Sequence, residues 1–327
     1  MSSATARAHA NIALVKYWAK RDAELNLPAA GSLSVTLSGL SSVTNVTFGA
    51  SDKDQLWVDG RAATGRAIER ALAIVDRIRD RAGLVGEPVR IESRNDFPTS
   101  AGLASSASGM AALAVAAAGA AELQLSPTEL SNLARLGSGS ACRSIFGGYV
   151  EWQPGTRPDG SDSHAHQLHP SEHWDLRVVV AVVQDRPKAV DSSAGMAHTA
   201  ETSPYLPTYV ELVPPDLSEA KQAVQNRDLE RLARVAERSS LRMHAATIAA
   251  DPPLLYLTAE SWQVIDAARQ MRRRGVPVFF TADAGPNVKL FCEPEALGQV
   301  QGTVEALGCA KRTILARPGP GAELIDA

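Results

Sequence analysis

The chain has 327 residues, of which 45% are hydrophobic and 21% are charged, and its formal net charge is -3. This balance excludes a disordered or collagen-like chain, and the length suits two modest domains that share an interface. A net charge this close to zero gives no overall basic field for nucleic acid. An anionic ligand must therefore be bound by locally placed amides and cations.

The cysteines and the apolar segments indicate the cellular compartment of the protein. Cys142, Cys292 and Cys309 are too few and too scattered for a disulfide framework or a zinc site, which fits a reducing compartment. The first residues have no apolar run before Ile12, so we predict no signal peptide. The alanine-rich stretch 110–121 is too short to span a bilayer. We expect a soluble, cytoplasmic protein.

The first half of the chain is predicted to begin with strands and continue with helices. Alternating segments rich in Val, Thr and Leu predict strands, and apolar residues at a helical period predict helices. Ser126, Pro127 and Glu129 fit the N-cap, first and third positions of a helix. In chain order the predicted elements are strands 32–37, 42–48 and 56–58, helix 65–82, strand 89–93, helix 108–123 and a helix starting at 127.

The second half of the chain follows a polar stretch, 154–170, whose Gly, Pro, Asp and three histidines predict a surface loop. Strands and helices do not alternate regularly, so the fold class is α+β. We place the domain boundary near residue 172, giving domains 1–172 and 173–327. The predicted elements after the loop are strand 176–183, helices 217–236 and 259–274, strands 276–281 and 288–291, and helix 294–307.

A Gly/Ser/Ala-rich segment, Pro98–Gly109, leads directly into a predicted helix. Glycines allow close backbone approach to a ligand, serines add hydroxyl donors, and the free amides at a helix start favour an anion such as phosphate. The segment matches neither the Walker pattern nor the dinucleotide glycine fingerprint. On composition alone, a loop that allows tight helix packing fits equally well.

Three further segments carry charged groups in exposed settings. Arg143 emerges from the Gly/Ser segment 137–144 and can bind a carboxylate through its planar fork, or tie the loop to a neighbouring acid. Asp283 follows an apolar strand and precedes a Gly-Pro turn, where it could serve a site or simply the turn. Segment Asn11–Asp22 holds several cations and a tyrosine that could receive a polyphosphate, or could be a solvated strand end. Together these segments describe one site for a nucleotide phosphate, a carboxylate and an anion.

These segments resemble the mevalonate diphosphate decarboxylases of the GHMP kinase superfamily. Residues 98–107 fit the superfamily's phosphate loop, while Ser138–Ser144 and Asp283–Asn287 resemble the decarboxylase branch. The resemblance implies the GHMP kinase fold, with an N-terminal domain like ribosomal protein S5 domain 2 and a C-terminal ferredoxin-like domain. It implies ATP and Mg²⁺ as cofactors and a homodimer. The implied reaction phosphorylates the 3-hydroxyl of 5-diphosphomevalonate, then releases phosphate and CO₂ to leave isopentenyl diphosphate.

The resemblance also implies roles for individual residues. Asp283 matches the catalytic acid that orients or deprotonates the 3-hydroxyl. Arg143 matches the arginine that holds the substrate carboxylate, with Asn11 orienting its guanidinium, and Lys16 matches a lysine with an electrostatic role. The expected substrate contacts are Tyr17 and Lys20 at the diphosphate, with Ser138, Ser140, Ser192 and Met196. The expected ATP contacts are Pro98, Gly102, Leu103, Ala104, Ser105, Ser106 and Ser108, with Ser105 and Ser106 also placing the metal.

The sequence departs from the family at the diphosphate end and leaves alternatives open. Some bacterial members carry an arginine where this chain has Ser193, which puts in doubt how firmly the diphosphate is held. Ser193 therefore leaves open a sister enzyme that acts on 5-phosphomevalonate. A kinase that phosphorylates the 3-hydroxyl without decarboxylation is a second alternative, which the presence of Asp283, Arg143 and Lys16 together disfavours. A binding module, for instance for RNA, is disfavoured by the acidic net charge. Trp57 lies near the family's adenine pocket or serves as a core aromatic.

Overall fold

The structure, a computed structural model, describes residues 2–97, 105–186 and 189–326. In this part of the chain the strands are β1 (Ser2–Val15), β2 (Lys20–Asp22), β3 (Leu27–Pro28), β4 (Ser32–Phe48), β5 (Gln55–Val58), β6 (Arg61–Ala63), β7 (Val89–Asn95), β8 (Tyr149–Trp152), β9 (Ala165–His169), β10 (Arg177–Val182), β11 (Val278–Ala282), β12 (Val288–Cys292), β13 (Arg312–Pro318) and β14 (Glu323–Ile325). The α-helices are α1 (Arg66–Ala82), α2 (Ser105–Ala120), α3 (Pro127–Gly137), α4 (Ala141–Ser144), α5 (Ser192–Thr202), α6 (Leu206–Asn226), α7 (Leu229–Ile248), α8 (Ala259–Arg273) and α9 (Leu297–Ala306). Two short 3₁₀ turns cover Ser171–His173 and Pro294–Ala296.

Strand β4 is the centre of the sheet because four other strands pair with it. Its first part pairs with β8 and with the end of β1, and its second part pairs with β7 and with the start of β1. Its second part alternates between buried and half-buried residues, because only one face of the sheet packs on helices there. Its first part is buried on both faces, because the second half of the chain covers the other side.

The second half forms an antiparallel sheet in the order β11-β12-β10-β13, which joins β4 through β13. Helices α8 and α9 pack on one face of this sheet, around Val179, Phe280 and Val300. Its other face contributes Val178, Val180 and Phe279 to a core that also includes residues of β1, β4, α6 and α7. The two halves therefore share a hydrophobic core.

Helices α1, α2 and α3 cover the outer face of the first half's sheet. Half of the residues of α2 are buried alanines, and a side chain this small lets the helix lie close to strands β1 and β4. The predicted cap of α3 is confirmed, since the Ser126 side chain accepts from the Glu129 amide while the Glu129 carboxylate accepts from the Ser126 amide. Among the described helices, none is long and apolar enough to cross a membrane.

Some predicted elements were wrong, among them the separate strands 32–37 and 42–48, which form the single strand β4. The polar stretch 154–170 is not all loop, because Ala165–His169 forms β9 and pairs with β8. The single helix predicted at 217–236 is two helices: α6 continues through Pro214 and Pro215, and the chain turns at Arg227 with a φ of 54° before α7 begins. Helix α2 also starts three residues before its predicted position, at Ser105. The domain boundary near residue 172 stays a prediction.

The end of the chain returns to the first half, where β14 pairs with β1 and β13 reaches β4. Gly319 lies at this crossing, and a Cβ added there would overlap the backbone nitrogen of Ser38. Backbone cannot move aside as a flexible side chain can, so this position accepts only glycine.

We predict that Gly319→Ala lowers the free energy of unfolding by about 1–3 kcal/mol, because the return segment must move away from β4. Urea unfolding measures the change. Gly302→Ala is the matched control, since a Cβ at this position of α9 meets open space; we expect it to stabilise the helix by about 0.5–1 kcal/mol. Equal effects of the two substitutions would contradict the close approach at Gly319.

Candidate active site

A cavity of about 360 Å³ lies between the two halves of the chain. Its walls come from the end of β1, the start of α2, the segment around α4, the start of α5 and the turn after β11. The predicted site residues that line it are Asn11, Lys16, Tyr17, Lys20, Ser105, Ser106, Ser138, Ser140, Arg143, Ser192, Met196 and Asp283. Segments far apart in sequence thus meet in one cavity.

The Asp283 carboxylate lies between two buried ammonium groups. Lys16 Nζ is 2.6 Å from Oδ1 and Lys289 Nζ is 3.0 Å from Oδ2. The lysine side chains are 2% and 1% exposed, while that of Asp283 is 26% exposed and lines the cavity. Burial alone would raise the pKa of Asp283, but the two ammonium groups outweigh it and hold that pKa well below its usual range. The carboxylate is therefore an ionised acceptor and a weak base.

Lys16 is fixed from several sides just after β1. Its Nζ also donates to the Ala13 carbonyl at 2.8 Å, and its backbone amide donates to Ser239 Oγ on α7. Burial lowers the pKa of Lys16 to about 8; Asp283 opposes this decrease, while Lys289 and Arg143 add to it. Lys16 can therefore lose its charge near physiological pH.

His244 of α7 lies behind this cluster. Burial, followed by the charge of Lys16, lowers the pKa of His244 to about 4. Its Nε2 is buried and has no hydrogen-bond partner among the residues that the structure describes. The imidazole is therefore neutral at ordinary pH and adds no charge to the cluster.

Arg143 is 2% exposed and held by hydroxyl and amide oxygens. Its Nε and Nη2 both donate to Asn11 Oδ1, at 3.2 and 3.0 Å. Nη1 donates to Ser32 Oγ at 2.6 Å, and Nε also donates to Ser34 Oγ at 3.0 Å. The guanidinium carbon lies 5.8 Å from the centre of the Trp152 ring. These contacts fix the plane of the guanidinium at the cavity wall.

Within the described ranges, no carboxylate forms an ion pair with Arg143. The Asn11 amide is itself oriented, because its Nδ2 donates to the Ser140 carbonyl at 3.0 Å and to Ser144 Oγ at 2.8 Å. Burying a guanidinium with neutral partners alone is costly unless an anion binds it. The contacts thus argue against a structural ion pair and favour a bound carboxylate.

Cationic groups gather at the outer end of the cavity. Lys20 Nζ lies 2.6 Å from Asn26 Oδ1 and 3.4 Å from Ser193 Oγ. Burial, followed by the nearby charges of Arg70 and Arg66, lowers the pKa of Lys20 to about 8. Arg70 lines the same cavity and donates from Nε to the Gly137 carbonyl at 2.5 Å. This end can bind a polyanion even though position 193 is a serine.

Tyr17 lies in the wall between this cationic end and Arg143. Its hydroxyl is buried and, among the described residues, has no hydrogen-bond partner. Burial raises the pKa of Tyr17, so the hydroxyl stays protonated and can donate. Gly139 leaves the space for it, because a Cβ there would be 2.8 Å from the hydroxyl. An acceptor atom in the cavity would satisfy this donor.

A second cavity, of about 610 Å³, opens on the other side of α2 and is lined by residues of α1, β5, β7 and α2. Arg70, Ser105 and Ser106 line both cavities. The Ser106 hydroxyl lies 3.4 Å from that of Ser138, which lies 3.4 Å from that of Ser140. The start of α2 is therefore the junction between the two cavities.

Some predicted nucleotide contacts are not at this junction. Ser108 is buried and its hydroxyl lies 2.7 Å from that of Ser42, so its side chain does not line either cavity. Trp57 does not line the second cavity, although its neighbours Leu56 and Val58 do. The other predicted nucleotide contacts, Pro98, Gly102, Leu103 and Ala104, lie outside the described residues.

The structure adds three residues that sequence reasoning missed: Lys289, Arg70 and His244. Lys289 stands in an otherwise apolar strand, and a lysine in a buried strand is a signal that could have been noticed. Arg70 lies among several arginines of α1 that are mostly solvated, so nothing in the sequence distinguished it. Within the described part of the chain, no cluster of His, Cys, Asp or Glu could hold a metal by itself.

Two family models match the chain. One, described as the diphosphomevalonate decarboxylase-like N-terminal domain, matches residues 8–165. The other, described as the mevalonate 5-diphosphate decarboxylase C-terminal domain, matches residues 178–317. Between them they cover most of the sequence and all the cavity-lining residues that the structure describes.

Curated relatives are similar over most of their length. The diphosphomevalonate decarboxylase of Candida albicans is 41% identical over 305 residues, which cover 89% of this chain and 84% of the relative. The human diphosphomevalonate decarboxylase is 39% identical over 311 residues, which cover 89% of this chain and 77% of the relative.

Solved structures are similar over nearly the whole chain. The mevalonate diphosphate decarboxylase of Staphylococcus aureus superposes with a TM-score of 0.92 at 41% identity, covering 99% of this chain and 98% of the other. A structure described as MDDEF in complex with MVAPP, AMPPCP and magnesium gives a TM-score of 0.92 at 38% identity. The match covers 100% of this chain and 99% of the other. This likeness confirms the predicted fold.

Proposed function

We propose, because this chain belongs to the diphosphomevalonate decarboxylase family, that the cavity between its halves is where the family's reaction takes place. The enzyme converts ATP and (R)-5-diphosphomevalonate to isopentenyl diphosphate, ADP, phosphate and CO₂ in the mevalonate pathway of isoprenoid biosynthesis, and it has the GHMP kinase fold. One observation carries the assignment of the site. A carboxylate clamped by two ammonium groups lies in the same cavity as a buried arginine that has no carboxylate partner among the described residues.

In the proposed first step, the 3-hydroxyl of the substrate attacks the terminal phosphoryl group of ATP while Asp283 accepts a hydrogen bond from that hydroxyl. The flanking lysines make Asp283 a weak base, so it orients the hydroxyl and takes the proton only late. A loose phosphoryl-transfer transition state is compatible with this order, because the hydroxyl carries little charge until the new bond forms. This favours orientation over early deprotonation.

Arg143 is proposed to bind the substrate carboxylate in bidentate fashion, with Asn11 as the positioning residue for its guanidinium. The tertiary hydroxyl is a poor leaving group until it is phosphorylated. As the phosphate leaves, it takes the proton back from Asp283 and departs as hydrogen phosphate. Positive charge develops at C3 in the same step, and the restored Asp283 carboxylate is an anion that can stabilise it. Lys16 carries a positive charge close to Asp283 and can stabilise the departing phosphate. The substrate carboxylate then leaves as CO₂, and its bonding electrons form the new double bond.

The diphosphate of the substrate is assigned to the cationic end of the cavity. Lys20 and Arg70 supply charge there, and the unsatisfied Tyr17 hydroxyl supplies a donor. The predicted contacts from Ser138, Ser140, Ser192 and Met196 line the same cavity. Two cations suit two phosphates, which supports the diphosphate substrate over 5-phosphomevalonate despite Ser193.

ATP and Mg²⁺ are the cofactors, and the residues at the junction of the cavities fit them. A nucleotide in the second cavity would direct its phosphates towards Ser105 and Ser106, at the start of α2, where helix amides favour anions. Hydroxyl oxygens together with phosphate oxygens are ligands that Mg²⁺ accepts without a carboxylate cage. The metal would neutralise charge on the transferring phosphoryl group.

The homodimer and the cytoplasmic location are also proposed. The homodimer follows from the resemblance to the family. The location is supported by the cysteines, since all three are free thiols and none forms a disulfide.

We predict that Asp283→Asn lowers kcat by about 10²–10⁴-fold while leaving ATP binding intact, because Asp283 and the ATP contacts lie on different elements. Coupled assays of ADP and CO₂ release with 5-diphosphomevalonate measure turnover, and calorimetric ATP titration tests the second point. Asp185→Asn, which removes an exposed carboxylate paired with Lys311, is the matched control and should be unaffected. Full activity of Asp283→Asn would rule out the catalytic assignment.

Arg143→Gln should raise the KM for 5-diphosphomevalonate by about 10-fold or more, because a charge-assisted pair to a carboxylate is lost. The KM for ATP should stay the same, since the second cavity does not include Arg143. Steady-state kinetics with each substrate varied in turn separate the two constants. An equal rise in both would contradict a carboxylate-specific role.

The pH dependence of kcat/KM should show a basic limb near pH 8. Lys16 and Lys20 are charged below their lowered pKa of about 8 and lose that charge as the pH rises through it, which weakens the binding of anions. Lys20→Arg keeps its charge across this range, so any limb that remains in that variant belongs to Lys16. A wild-type profile that stays flat well above this pH would contradict both lowered values.

A further inference from the structure

Lys289 is a buried cation to which the mechanism above gives no role beyond lowering the pKa of Asp283. It lies on β12, where it pairs in register with Thr281 of β11, and the turn between the strands brings Asp283 back over it. Its Nζ donates to Asp283 Oδ2 at 3.0 Å and lies 3.2 Å from the Asn287 carbonyl oxygen. The turn is itself fixed, because Asn287 Oδ1 accepts from the amides of Val183 and Gln184. Lys289 and Asp283 thus belong to one rigid hairpin.

Burying an ammonium group in a strand costs free energy unless a carboxylate compensates it. Every residue of β12 is buried, so nothing in the local fold requires a lysine there. Its partner is Asp283, the carboxylate of the proposed reaction, which lines the cavity. Because the burial of Lys289 beside Asp283 costs free energy, its presence there suggests a functional reason.

We propose that Lys289 is a positioning residue: it clamps the second oxygen of Asp283 and, through that shared carboxylate, sets the charge state of Lys16. With one oxygen held from each half of the chain, the carboxylate cannot rotate about its Cβ–Cγ bond. Its remaining lone pairs then face the cavity, where the substrate hydroxyl must bind. This inference rests on the proposed role of Asp283.

The second effect is electrostatic. Two ammonium groups share one negative charge, so each is compensated less than it would be alone. After burial and the opposing effect of Asp283, Lys289 is the first like charge that lowers the pKa of Lys16, and Arg143 is the next. His244, on the α7 side, is neutral above about pH 4 and does not contribute in the working range. Removing Lys289 should therefore raise the pKa of Lys16.

Kinetics in a Lys20→Arg background test this, because the basic limb of kcat/KM then reports Lys16 alone. Adding Lys289→Met should move that limb to higher pH and lower kcat by about 10- to 100-fold, since a misplaced catalytic group is costly. The KM for ATP should not change. Adding Lys289→Arg should keep the limb in place, because the positive charge remains. Thermal unfolding checks that each variant folds. If Lys289→Met does not fold, Lys289→Gln is used in its place.

Lys311→Met in the same background is the matched control, because it removes an exposed lysine that is paired with Asp185. It should leave the limb and kcat unchanged. A limb that does not move in a folded Lys289→Met or Lys289→Gln variant overturns the inference, as does the absence of any limb in the Lys20→Arg parent. Loss of kcat without a shift of the limb would indicate packing alone. If Asp283→Asn is inactive and the basic limb of the folded Lys289 variant does not move, this inference fails and the proposed function stands.

Discussion

The ion cluster of Lys16, Asp283 and Lys289 connects the two halves of the protein beside the cavity that lies between them. Lys16 follows β1 in the first half, whereas Asp283 and Lys289 lie on a hairpin of the second. A carboxylate between two ammonium groups is stable inside a protein only when both contacts are short and water is largely excluded. The cluster of Lys16, Asp283 and Lys289 is therefore complete only when the two halves are docked.

Among the described residues that line the cavity, four cationic side chains face two carboxylates, Asp191 and Asp283. Arg143 is held by amide and hydroxyl oxygens, and the two lysines share one carboxylate. This excess of positive charge is what a substrate with a carboxylate and a diphosphate can neutralise. Burial lowers the pKa values of Lys16 and Lys20 before any ligand binds, and the neighbouring positive charges lower them further. The unliganded site is thus prepared for a polyanion at the expense of its own stability.

The long strand β4 and the helix α2 position the residues of the site. Strand β4 supplies Ser32 and Ser34 behind Arg143, because its first part is covered on both sides and directs these hydroxyls inward. Helix α2 begins at the junction of the two cavities, and its small residues allow it to lie close to β1 and β4. The small residues of this segment were compatible with two interpretations, tight helix packing and an anion site. The structure accommodates both, with tight packing along the helix and room for an anion at its start.

Sequence analysis alone identified the segments of the site and the chemistry that each could supply. Local signals such as the Ser126 cap, the period of α1 and the Asp283–Asn287 turn depend on neighbouring residues, so they can be read along the chain. Contacts between distant residues cannot be read in this way. The pairing of Lys16 with Asp283, the absence of an acid beside Arg143 within the described residues, and the presence of Arg70 at the substrate end became visible only in the tertiary structure. The physical reason is that burial and distance set the energy of a charge, and both arise only when segments hundreds of residues apart are packed together.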